Sequence, residues 1–395
     1  MTSFYKKNTR TRWGMKVAPL LLALSSAMYS APDHAAAPPG DDTSQTEFAY
    51  VGTRASQIRA LRLDVATGKV TVIGSVEQRM KPTWVSADPS LPVLYAVDEE
   101  RDQDGSVTAY AVDRATGALT RINSVASGGS GTTYLSFDAA SKTLLAANYG
   151  SGSVSSISVK ADGSLGALVS TMKETGSGPN VHRQASAHAH CAVVDPSGGF
   201  ALVPDLGADR VFVYGFDRAT HALSPDAATN PRAFVAPPGS GPRHLAFGAN
   251  GRFVYLDTEL SAELMVLKWN ASQGQLTLVQ SLPISSEGFK GPKSGAEIAV
   301  SRDGRFVYVE DRGENAVAVY RIDRESGKVS LIQRIAAGGE NPWGFGIDRS
   351  GKWMLVDNEK SGDVHVLGID TKTGRLSDTG QSIEIPEPIS VAFVK

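Results

Sequence analysis

Leu63-Asp64-Val65-Ala66-Thr67-Gly68-Lys69-Val70 is the first of seven related segments in this chain. Each segment joins the end of one apolar run to the start of another through a short turn that opens on Asp or Asn. The opening residues are Asp64, Asp113, Asp162, Asp217, Asn270, Asp323 and Asp370. Glycine near the end of most turns supplies the positive φ that a tight connection requires. A period of about 50 residues made of short strands is typical of a β-propeller with one repeat per blade, so we predict seven blades.

A second repeated pattern precedes each turn and completes a blade. It consists of two short apolar runs, rich in Val, Tyr, Phe and Leu and bounded by Gly, Asp or Pro, as strands are. Together with the two strands around the turn, these runs predict four strands in each blade. In the fifth repeat the predicted strands are Leu245–Phe247, Phe253–Asp257, Leu264–Trp269 and Leu276–Leu282.

The two ends of the repeat region complement each other. Phe48–Thr53 matches a second strand that has no first strand before it, and Ile389–Val394 matches a first strand with nothing after it. We therefore predict that these two strands pair in one shared blade, which closes the ring and removes an exposed sheet edge. The predicted fold is an all-β, seven-bladed propeller of four-stranded blades that covers residues 47–395 as one domain.

The composition excludes several classes of protein. Hydrophobic residues make up 41% of the chain and the formal net charge is −2, so there is no basic excess that would indicate a nucleic-acid partner. The single cysteine, Cys191, permits neither an internal disulfide nor a Cys-x-x-Cys-His haem attachment. Because Cys191 begins an apolar run, we expect a small buried side chain there.

The N-terminus has the layout of a secretory signal peptide. Basic residues between Lys6 and Lys16 precede the apolar run Val17–Leu24, and small residues follow as far as Ala37. The apolar run is too short for a committed membrane span. We expect residues 1–37 to be removed, residues 38–46 to form a linker, and the mature protein to be periplasmic or secreted without membrane contact. If the segment is not a functional signal, the protein is cytoplasmic.

Propeller geometry places a set of polar residues on one face. First and second strands are antiparallel, so residues that enter the first strand and residues that leave the second lie at the same end of a blade. The concave funnel over the central channel is the kind of site that ligands prefer. These positions hold Lys81, Asp98, Asn148, His188, His190, Asp205, Arg243, His244, Glu259, Glu297, Arg312, Asn341, Trp343 and Asn358.

Four phrases of the sequence carry a family resemblance. They are Asn148–Val154, Arg183–His190, Val203–Arg210 and Gly239–Phe247. With these phrases in this order, the chain resembles the bacterial 6-phosphogluconolactonase family of seven-bladed propellers over about residues 47–395, and it is similar to the related fungal carboxy-cis,cis-muconate cyclase. The resemblance implies a metal-independent lactone hydrolase without a cofactor. Its partner would be a small-molecule sugar lactone, and we expect a monomer or a weak homodimer.

The resemblance also implies the site residues. The family's site is attributed to a His, two Arg and a Glu. The His-Ala-His phrase offers His188 or His190, and the family's Asn-Glu-Leu and Asn-Arg-Gly appear as Thr258-Glu259-Leu260 and Asp311-Arg312-Gly313. The implied catalytic residues are therefore His188, His190, Arg243, Glu259 and Arg312. Predicted substrate-binding residues in the same phrases or on the same face are Asn148, Arg183, Gln184, His244 and Glu297.

The residue types suit the opening of a lactone. Histidine, with an ordinary pKa of about 6.5, or a desolvated glutamate can activate water and return a proton to the departing alcohol. Arginine stays cationic and can bind an oxyanion, a carboxylate or a phosphate. The sequence does not decide whether Glu259 or a histidine is the base. An exported protein would not meet a phosphorylated cytosolic lactone, and the propeller fold by itself does not define the substrate.

Other interpretations of the same residues remain open. Arg243–Glu259 or Arg312–Glu297 would serve equally well as structural ion pairs between blades, and Asp311 places a negative charge beside Arg312. The His-x-His phrase together with Glu259 could form part of a metal site. At the level of function, the alternatives are an exported ligand-binding or interaction propeller without catalysis, and a lyase similar to the muconate cyclase.

Overall fold

Seven antiparallel sheets follow one another around a ring in the computed structural model of this protein. The structure describes residues 46–77, 81–100, 104–225 and 232–394. The predicted signal peptide and nearly all of the predicted linker lie outside the described residues. Within the described ranges the regular elements are strands, and no helix there has the length and apolar character to cross a membrane.

The strands are short and alternate with turns along the whole described chain. In chain order they are β1 (Thr46–Thr53), β2 (Gln57–Asp64), β3 (Val70–Glu77), β4 (Val85–Ala87), β5 (Val93–Val97), β6 (Asp104–Val112), β7 (Leu119–Ser130), β8 (Thr132–Asp138), β9 (Thr143–Asn148), β10 (Ser153–Val159), β11 (Leu165–Lys173), β12 (Val193–Val194), β13 (Phe200–Asp205), β14 (Arg210–Asp217), β15 (Ala222–Ser224), β16 (Arg232–Val235), β17 (Pro242–Phe247), β18 (Phe253–Thr258), β19 (Glu263–Asn270), β20 (Gln275–Pro283), β21 (Gly295–Val300), β22 (Phe306–Asp311), β23 (Ala316–Ile322), β24 (Val329–Ala336), β25 (Pro342–Ile347), β26 (Trp353–Asn358), β27 (Asp363–Ile369), β28 (Leu376–Glu384) and β29 (Pro388–Val394).

These strands form the seven predicted blades. Blade 1 is β29-β1-β2-β3, and blades 2 and 3 are β4 to β7 and β8 to β11. Blades 5, 6 and 7 are β17 to β20, β21 to β24 and β25 to β28. Blade 4 (β12 to β16) differs, because its first strand is reduced to Val193–Val194 and two separate segments, β15 and β16, pair along its third strand. Cys191 is buried as expected, but it precedes this short strand and does not begin it.

The ring closes through the two end strands, as predicted. β29 pairs antiparallel with β1, with Phe48 opposite Val394 and Thr53 opposite Pro388. In consequence the C-terminal strand supplies the innermost strand of blade 1, and β1 has a partner on both sides. Without β29, the inner edge of β1 would be unpaired.

Apolar side chains fill the spaces between neighbouring blades. The described residues form a cluster of buried hydrophobic side chains at each of the seven blade junctions, including the junction between blades 7 and 1. The second strands β18 and β22 are buried along their whole length, whereas the outer strand β20 is largely exposed or half-buried. Burial therefore comes from stacking blades side by side, as expected for repeats that cannot bury a sheet face alone.

The turn glycines that define the sequence repeat also fit the blades together. Gly327 has φ +72°, and a Cβ atom there would overlap the Phe253 ring of the preceding blade. Gly374 makes the same close approach to Phe306, and Tyr255 donates a hydrogen bond to the carbonyl oxygen of Gly327. Glycine is required at these turns both for its backbone conformation and for its lack of a side chain.

Blade 4 replaces this glycine by a histidine. His221 has φ +61°, and its Nδ1 lies 2.8 Å from Oγ1 of Thr143 in blade 3. Thr143 begins the second strand β9, the position at which Phe253 and Phe306 begin β18 and β22. At the junction of blades 3 and 4, the hydrogen bond between His221 and Thr143 therefore replaces the packing of a turn glycine against an aromatic ring.

Candidate active site

The funnel face is built from two recurrent backbone features. First, the second strands of blades 5 and 6 end at Thr258 and Asp311. The next residues, Glu259 and Arg312, therefore lie at the end of the strand, at the mouth of the ring. Second, the pairing of β17 with β18 shifts register between Pro242 and Leu245. The same shift occurs at the start of β8, β21 and β25. Such bulges change the direction in which side chains point.

A cavity of about 420 Å³ opens on this face. Each blade, together with the segment that leads into its first strand, contributes at least one lining residue. Four of its residues were predicted as site residues, namely Arg183, His190, Glu259 and Arg312, and Asn341 and Trp343 were predicted to lie on this face. The other lining residues are Arg54, Glu99, Thr133, Tyr149 and Ser294. The predicted face is therefore a concave surface with several charged groups.

Glu259 is the centre of the charged cluster. Its Oε1 lies 2.6 Å from Nη2 of Arg183, and its Oε2 lies 3.0 Å from Nη2 of Arg312 and 3.3 Å from Nε of Arg243. The side chain of Glu259 is 6% exposed, and that of Arg243 is 1% exposed. One carboxylate thus faces three guanidinium groups, so the cluster keeps an excess of positive charge that suits an anionic ligand or transition state.

The charge of Glu259 is stabilised despite its burial. Burial alone would raise the pKa of Glu259, but the nearby Arg312, His190, Arg243 and Arg183 outweigh that effect and hold the pKa well below its ordinary value. Glu259 is therefore ionised at neutral pH. A carboxylate with so low a pKa is a weak general base.

His190 is the histidine that lines the cavity. Its Nε2 lies 3.6 Å from Oε2 of Glu259, and its ring makes edge contacts with Tyr149 and His244. Burial, followed by the charge of Arg243, lowers the pKa of His190 well below its ordinary value, so the ring is neutral at neutral pH. Its Nδ1 has no hydrogen-bond partner among the described residues.

His188 has a different position. Its ring stacks on Tyr149 with centroids 4.4 Å apart, and its Nδ1 lies 2.8 Å from the carbonyl oxygen of Tyr149. The backbone N–H of His188 donates to Oδ1 of Asp205. The segment around these histidines is irregular, with a single bridge between Ala189 and Asp205. Only His190 of the pair lines the cavity.

His244 and Glu297 lie behind Arg243, away from the cavity lining. Nδ1 of His244 is 3.0 Å from Oε2 of Glu297 and 3.2 Å from Nη1 of Arg243, which also donates to the carbonyl oxygen of Ala296. Burial lowers the pKa of His244 well below its ordinary value, and burial raises the pKa of Glu297 to about 7. These two residues support Arg243 from below.

Asn148 and Gln184 are also buried away from the cavity. The Asn148 amide accepts a hydrogen bond from Thr132 and donates to the carbonyl oxygen of Ser127. Nε2 of Gln184 donates to Oδ1 of Asp209, whose carboxylate accepts from the backbone of the loop just before Arg243. Both amides are committed to holding loops in place. Arg183, by contrast, reaches the cavity and also contacts the Tyr149 hydroxyl at 3.2 Å.

Of the two ion pairs considered from the sequence, Arg243–Glu259 is present and Arg312–Glu297 is not. Arg312 pairs with Glu259, while Glu297 faces His244. Asp311 does not face Arg312, since its Oδ1 accepts hydrogen bonds from the backbone of Gly313 and Glu314 in the following turn. Among the described residues, no group of three or more His, Cys, Asp or Glu side chains is arranged to hold a metal ion.

Sequence reasoning missed several cavity residues that share one repeat position. Glu259 and Arg312 each follow the last residue of a second strand. The residues aligned with them in the other blades are Arg54, Glu99, Tyr149, Leu206 and Glu359. Aligning the seven repeats at this position would have found Arg54, Glu99 and Tyr149 as well. Trp343 was placed on the correct face, but nothing in the sequence connected it with Arg54 and Arg312, which its ring contacts.

The fold and the site together define a propeller whose funnel holds a buried cluster of arginines, a glutamate and a histidine. The family described as "Lactonase, 7-bladed beta-propeller" matches residues 48–393, and the chain belongs to this family. It is 33% identical to a 6-phosphogluconolactonase of Bacillus subtilis, over 79% of this chain and 87% of that protein. It is 28% identical to a 6-phosphogluconolactonase of Formosa agariphila, over 83% of this chain and 92% of that protein.

The structural comparison agrees with the family assignment. The solved structure of the periplasmic gluconolactonase PpgL of Pseudomonas aeruginosa superposes with a TM-score of 0.80 at 34% identity, covering 89% of this chain and 99% of that one. A protein from Lactobacillus plantarum superposes equally well, with a TM-score of 0.80 at 28% identity, covering 89% of this chain and 100% of that one.

Proposed function

We propose that this protein hydrolyses a sugar lactone in the funnel cavity. The observation that carries the proposal is the Glu259 cluster, in which one ionised carboxylate, three arginines and a neutral histidine meet at the cavity floor. Support also comes from relatives named 6-phosphogluconolactonase and gluconolactonase. Hydrolysis of a lactone requires an activated water, stabilisation of a tetrahedral oxyanion and a proton for the ring oxygen, and this cluster offers a group for each task.

His190 is the base in this proposal. A neutral imidazole can accept the proton of the attacking water as the water oxygen bonds to the carbonyl carbon. The imidazolium that forms lies next to the Glu259 carboxylate, 3.6 Å away, which stabilises the positive charge. When the tetrahedral intermediate collapses, the bond from the carbonyl carbon to the ring oxygen breaks and His190 returns the proton to that oxygen. The net reaction adds one water and yields a hydroxy acid.

The arginines bind the developing negative charge. Arg312 and Arg183 line the cavity, so their remaining N–H groups can donate to the carbonyl oxygen as it becomes an oxyanion, and later to the product carboxylate. Arg243 is almost fully buried beneath them and contributes charge from below. Glu259 orients all three guanidinium groups. Its role here is to hold the cations in place and to act as a counter-ion for His190.

A specific observation favours a second candidate, a binding propeller without catalysis. Both carboxylate oxygens of Glu259 are already engaged by arginines, so the ion-pair network is complete as a structural feature between blades. Buried charge networks of this kind also occur without catalysis. The two candidates differ in whether the cavity turns a bound lactone over.

A proton-release assay on a panel of δ- and γ-aldonolactones, with and without a phosphate ester, separates these candidates. We expect wild-type protein to hydrolyse at least one of these lactones and Arg312→Gln to lower kcat by roughly 10²–10³-fold, as the loss of an oxyanion donor does. Arg218→Gln is a matched control, because Arg218 forms an ion pair with Asp138 and does not line the cavity. Binding of lactones by folded protein without any turnover would support the binding propeller and contradict hydrolysis.

We infer further that the protein is exported and acts outside the cytoplasm. Support comes from the basic and then apolar N-terminal segment and from the name of the periplasmic Pseudomonas aeruginosa relative. Intact-mass analysis of protein from its native host tests this inference, since export predicts loss of about residues 1–37. Full-length protein in the cytoplasmic fraction would contradict it. Light scattering on the same material tests the expected monomer or weak homodimer.

A further inference from the structure

Arg54, which lines the funnel cavity, forms a second glutamate–arginine pair, with Glu359 just behind the lining. Nη1 of Arg54 is 2.8 Å from Oε1 of Glu359, and Oε2 of Glu359 accepts a hydrogen bond of 2.8 Å from Nδ2 of Asn341. Arg54 and Glu359 occupy the same repeat position in blades 1 and 7 that Arg312 and Glu259 occupy in blades 6 and 5. The ring thus carries two Glu–Arg pairs, each formed by neighbouring blades.

Trp343 connects the two pairs. Its ring centroid is 4.1 Å from Cζ of Arg54 and 4.2 Å from Cζ of Arg312, distances at which a guanidinium group is attracted to an indole ring. Arg312 has a 5% exposed side chain and also donates to the carbonyl oxygen of Gly295. Arg54 has a 28% exposed side chain. One pair is therefore buried in the reaction centre, and the other lies beside it at the more accessible rim.

We propose that Arg54 and Glu359 recognise the end of the lactone farthest from the reacting carbonyl, and that they select a neutral polyol tail over a phosphate ester. This inference rests on the proposed function, since it assumes that the carbonyl lies at Glu259 and Arg312. A hydroxyl group can accept a hydrogen bond from Arg54 at no electrostatic cost. A phosphate at the same place would meet the Glu359 carboxylate, which already compensates the charge of Arg54.

A further acidic group of the cavity strengthens the selection. Glu99, from blade 2, lines the cavity, and like charges brought together in a partly desolvated site repel each other. Arg183, Arg243 and Arg312 already share the single carboxylate of Glu259 and serve the carbonyl end. Arg54 is the cavity arginine whose ion-pair partner is Glu359, so the charge of Glu359 decides what this subsite accepts.

Binding of the hydrolysis products tests the subsite without requiring turnover. Calorimetric titration compares a six-carbon aldonate with its 6-phosphate on wild-type protein, Glu359→Gln and Glu340→Gln. Glu340 is a matched control on the same rim, because its side chain is 64% exposed and its contact with Lys360 is a loose 3.8 Å. We expect wild-type protein to bind the unphosphorylated aldonate roughly tenfold more tightly than the 6-phosphate.

The variants should distinguish an effect of the Glu359 charge on binding from a loss of folded protein. Glu359→Gln should tighten binding of the 6-phosphate by roughly tenfold and change binding of the unphosphorylated aldonate by less than about threefold, whereas Glu340→Gln should change neither. Arg54→Gln should weaken binding of the unphosphorylated aldonate. A wild-type preference for the 6-phosphate, an unchanged ratio in folded Glu359→Gln, or no binding of either product would overturn the subsite. The expected binding pattern without hydrolysis of either lactone would contradict only the proposed function.

Discussion

At the scale of single residues, the site depends on environments that the sequence shows only in part. The sequence predicted Glu259, Arg312 and Arg183, and all three line the cavity. It could not choose between His188 and His190, because their segment is irregular and strand alternation does not apply to it. The stacking of His188 on Tyr149 and the inward position of His190 depend on loop packing, which no local pattern predicts.

The same environments predict how the rate depends on pH. The pKa of His190 lies well below its ordinary value, mainly because the ring is buried and then because of Arg243. If neutral His190 is the base, kcat/KM should stay constant from neutral pH down past about 6.5, the ordinary histidine pKa, and fall only in more acidic solution. Initial rates between about pH 4.5 and 7.5, corrected for spontaneous hydrolysis, measure this profile. A midpoint at or above about 6.5 would argue against His190 as the base.

At the scale of elements, the repeat predicted the strands well and the irregularities poorly. The fifth blade has its four predicted strands, although β17 begins at Pro242 instead of Leu245. The bulges at the start of β17, β21 and β25 were not predicted. A bulge arises from the register of a partner strand and from contacts across the funnel, neither of which is visible in a single run of residues. The nearly absent first strand of blade 4 was missed for the same reason.

The turn glycines provide a prediction at this scale. Gly327→Ala should lower the free energy of unfolding by about 1–3 kcal/mol, because the new methyl group would overlap the Phe253 ring and because alanine disfavours positive φ. Gly74→Ala is the matched control, since a Cβ atom at Gly74 meets nothing within 4 Å. Denaturant unfolding of both variants measures the difference. An equal free energy of unfolding for the two variants would show that the close packing of Gly327 against Phe253 does not contribute to stability.

At the scale of the whole molecule, closure of the ring was predictable because it depends on which strands are missing at each end. β29 pairs with β1 as predicted, in continuous register from Phe48 to Gly52. Removing residues 389–395 should expose the inner edge of β1 and the cores of both flanking junctions, so we expect a large drop in melting temperature or loss of soluble protein. An unchanged melting temperature after this truncation would contradict closure through β29.

Buried carboxyl groups near the central channel predict how stability depends on pH. Burial raises the pKa of Asp257 to about 8 and that of Glu297 to about 7, and it raises the pKa values of Glu310 and Asp357 well above the ordinary range. These four carboxyl groups therefore bind more protons in the folded protein than in the unfolded chain between about pH 4 and 8, so they make the free energy of unfolding decrease as pH rises through that window.

Asp357→Asn tests this dependence, because neither carboxylate oxygen of Asp357 has a hydrogen-bond partner among the described residues. The amide cannot ionise, so the variant should be more stable than wild-type protein at about pH 8 and should lose less stability between about pH 5 and 8. Asp104→Asn, at an exposed position, should change neither quantity. Thermal melts across this range provide the comparison. A variant that is less stable than wild-type protein at pH 8, with an equally steep decline, would refute this explanation.

The most direct test of lactone hydrolysis in this funnel compares two histidines that lie two residues apart in the same segment. With a lactone that the wild-type protein hydrolyses, His190→Asn should lower kcat by roughly 10²–10⁴-fold, the usual contribution of a general acid–base group. His188→Asn should retain kcat within about threefold, since the His188 ring stacks on Tyr149 and does not line the cavity. Wild-type turnover by folded His190→Asn, or an equal loss in both variants, would contradict the proposed site.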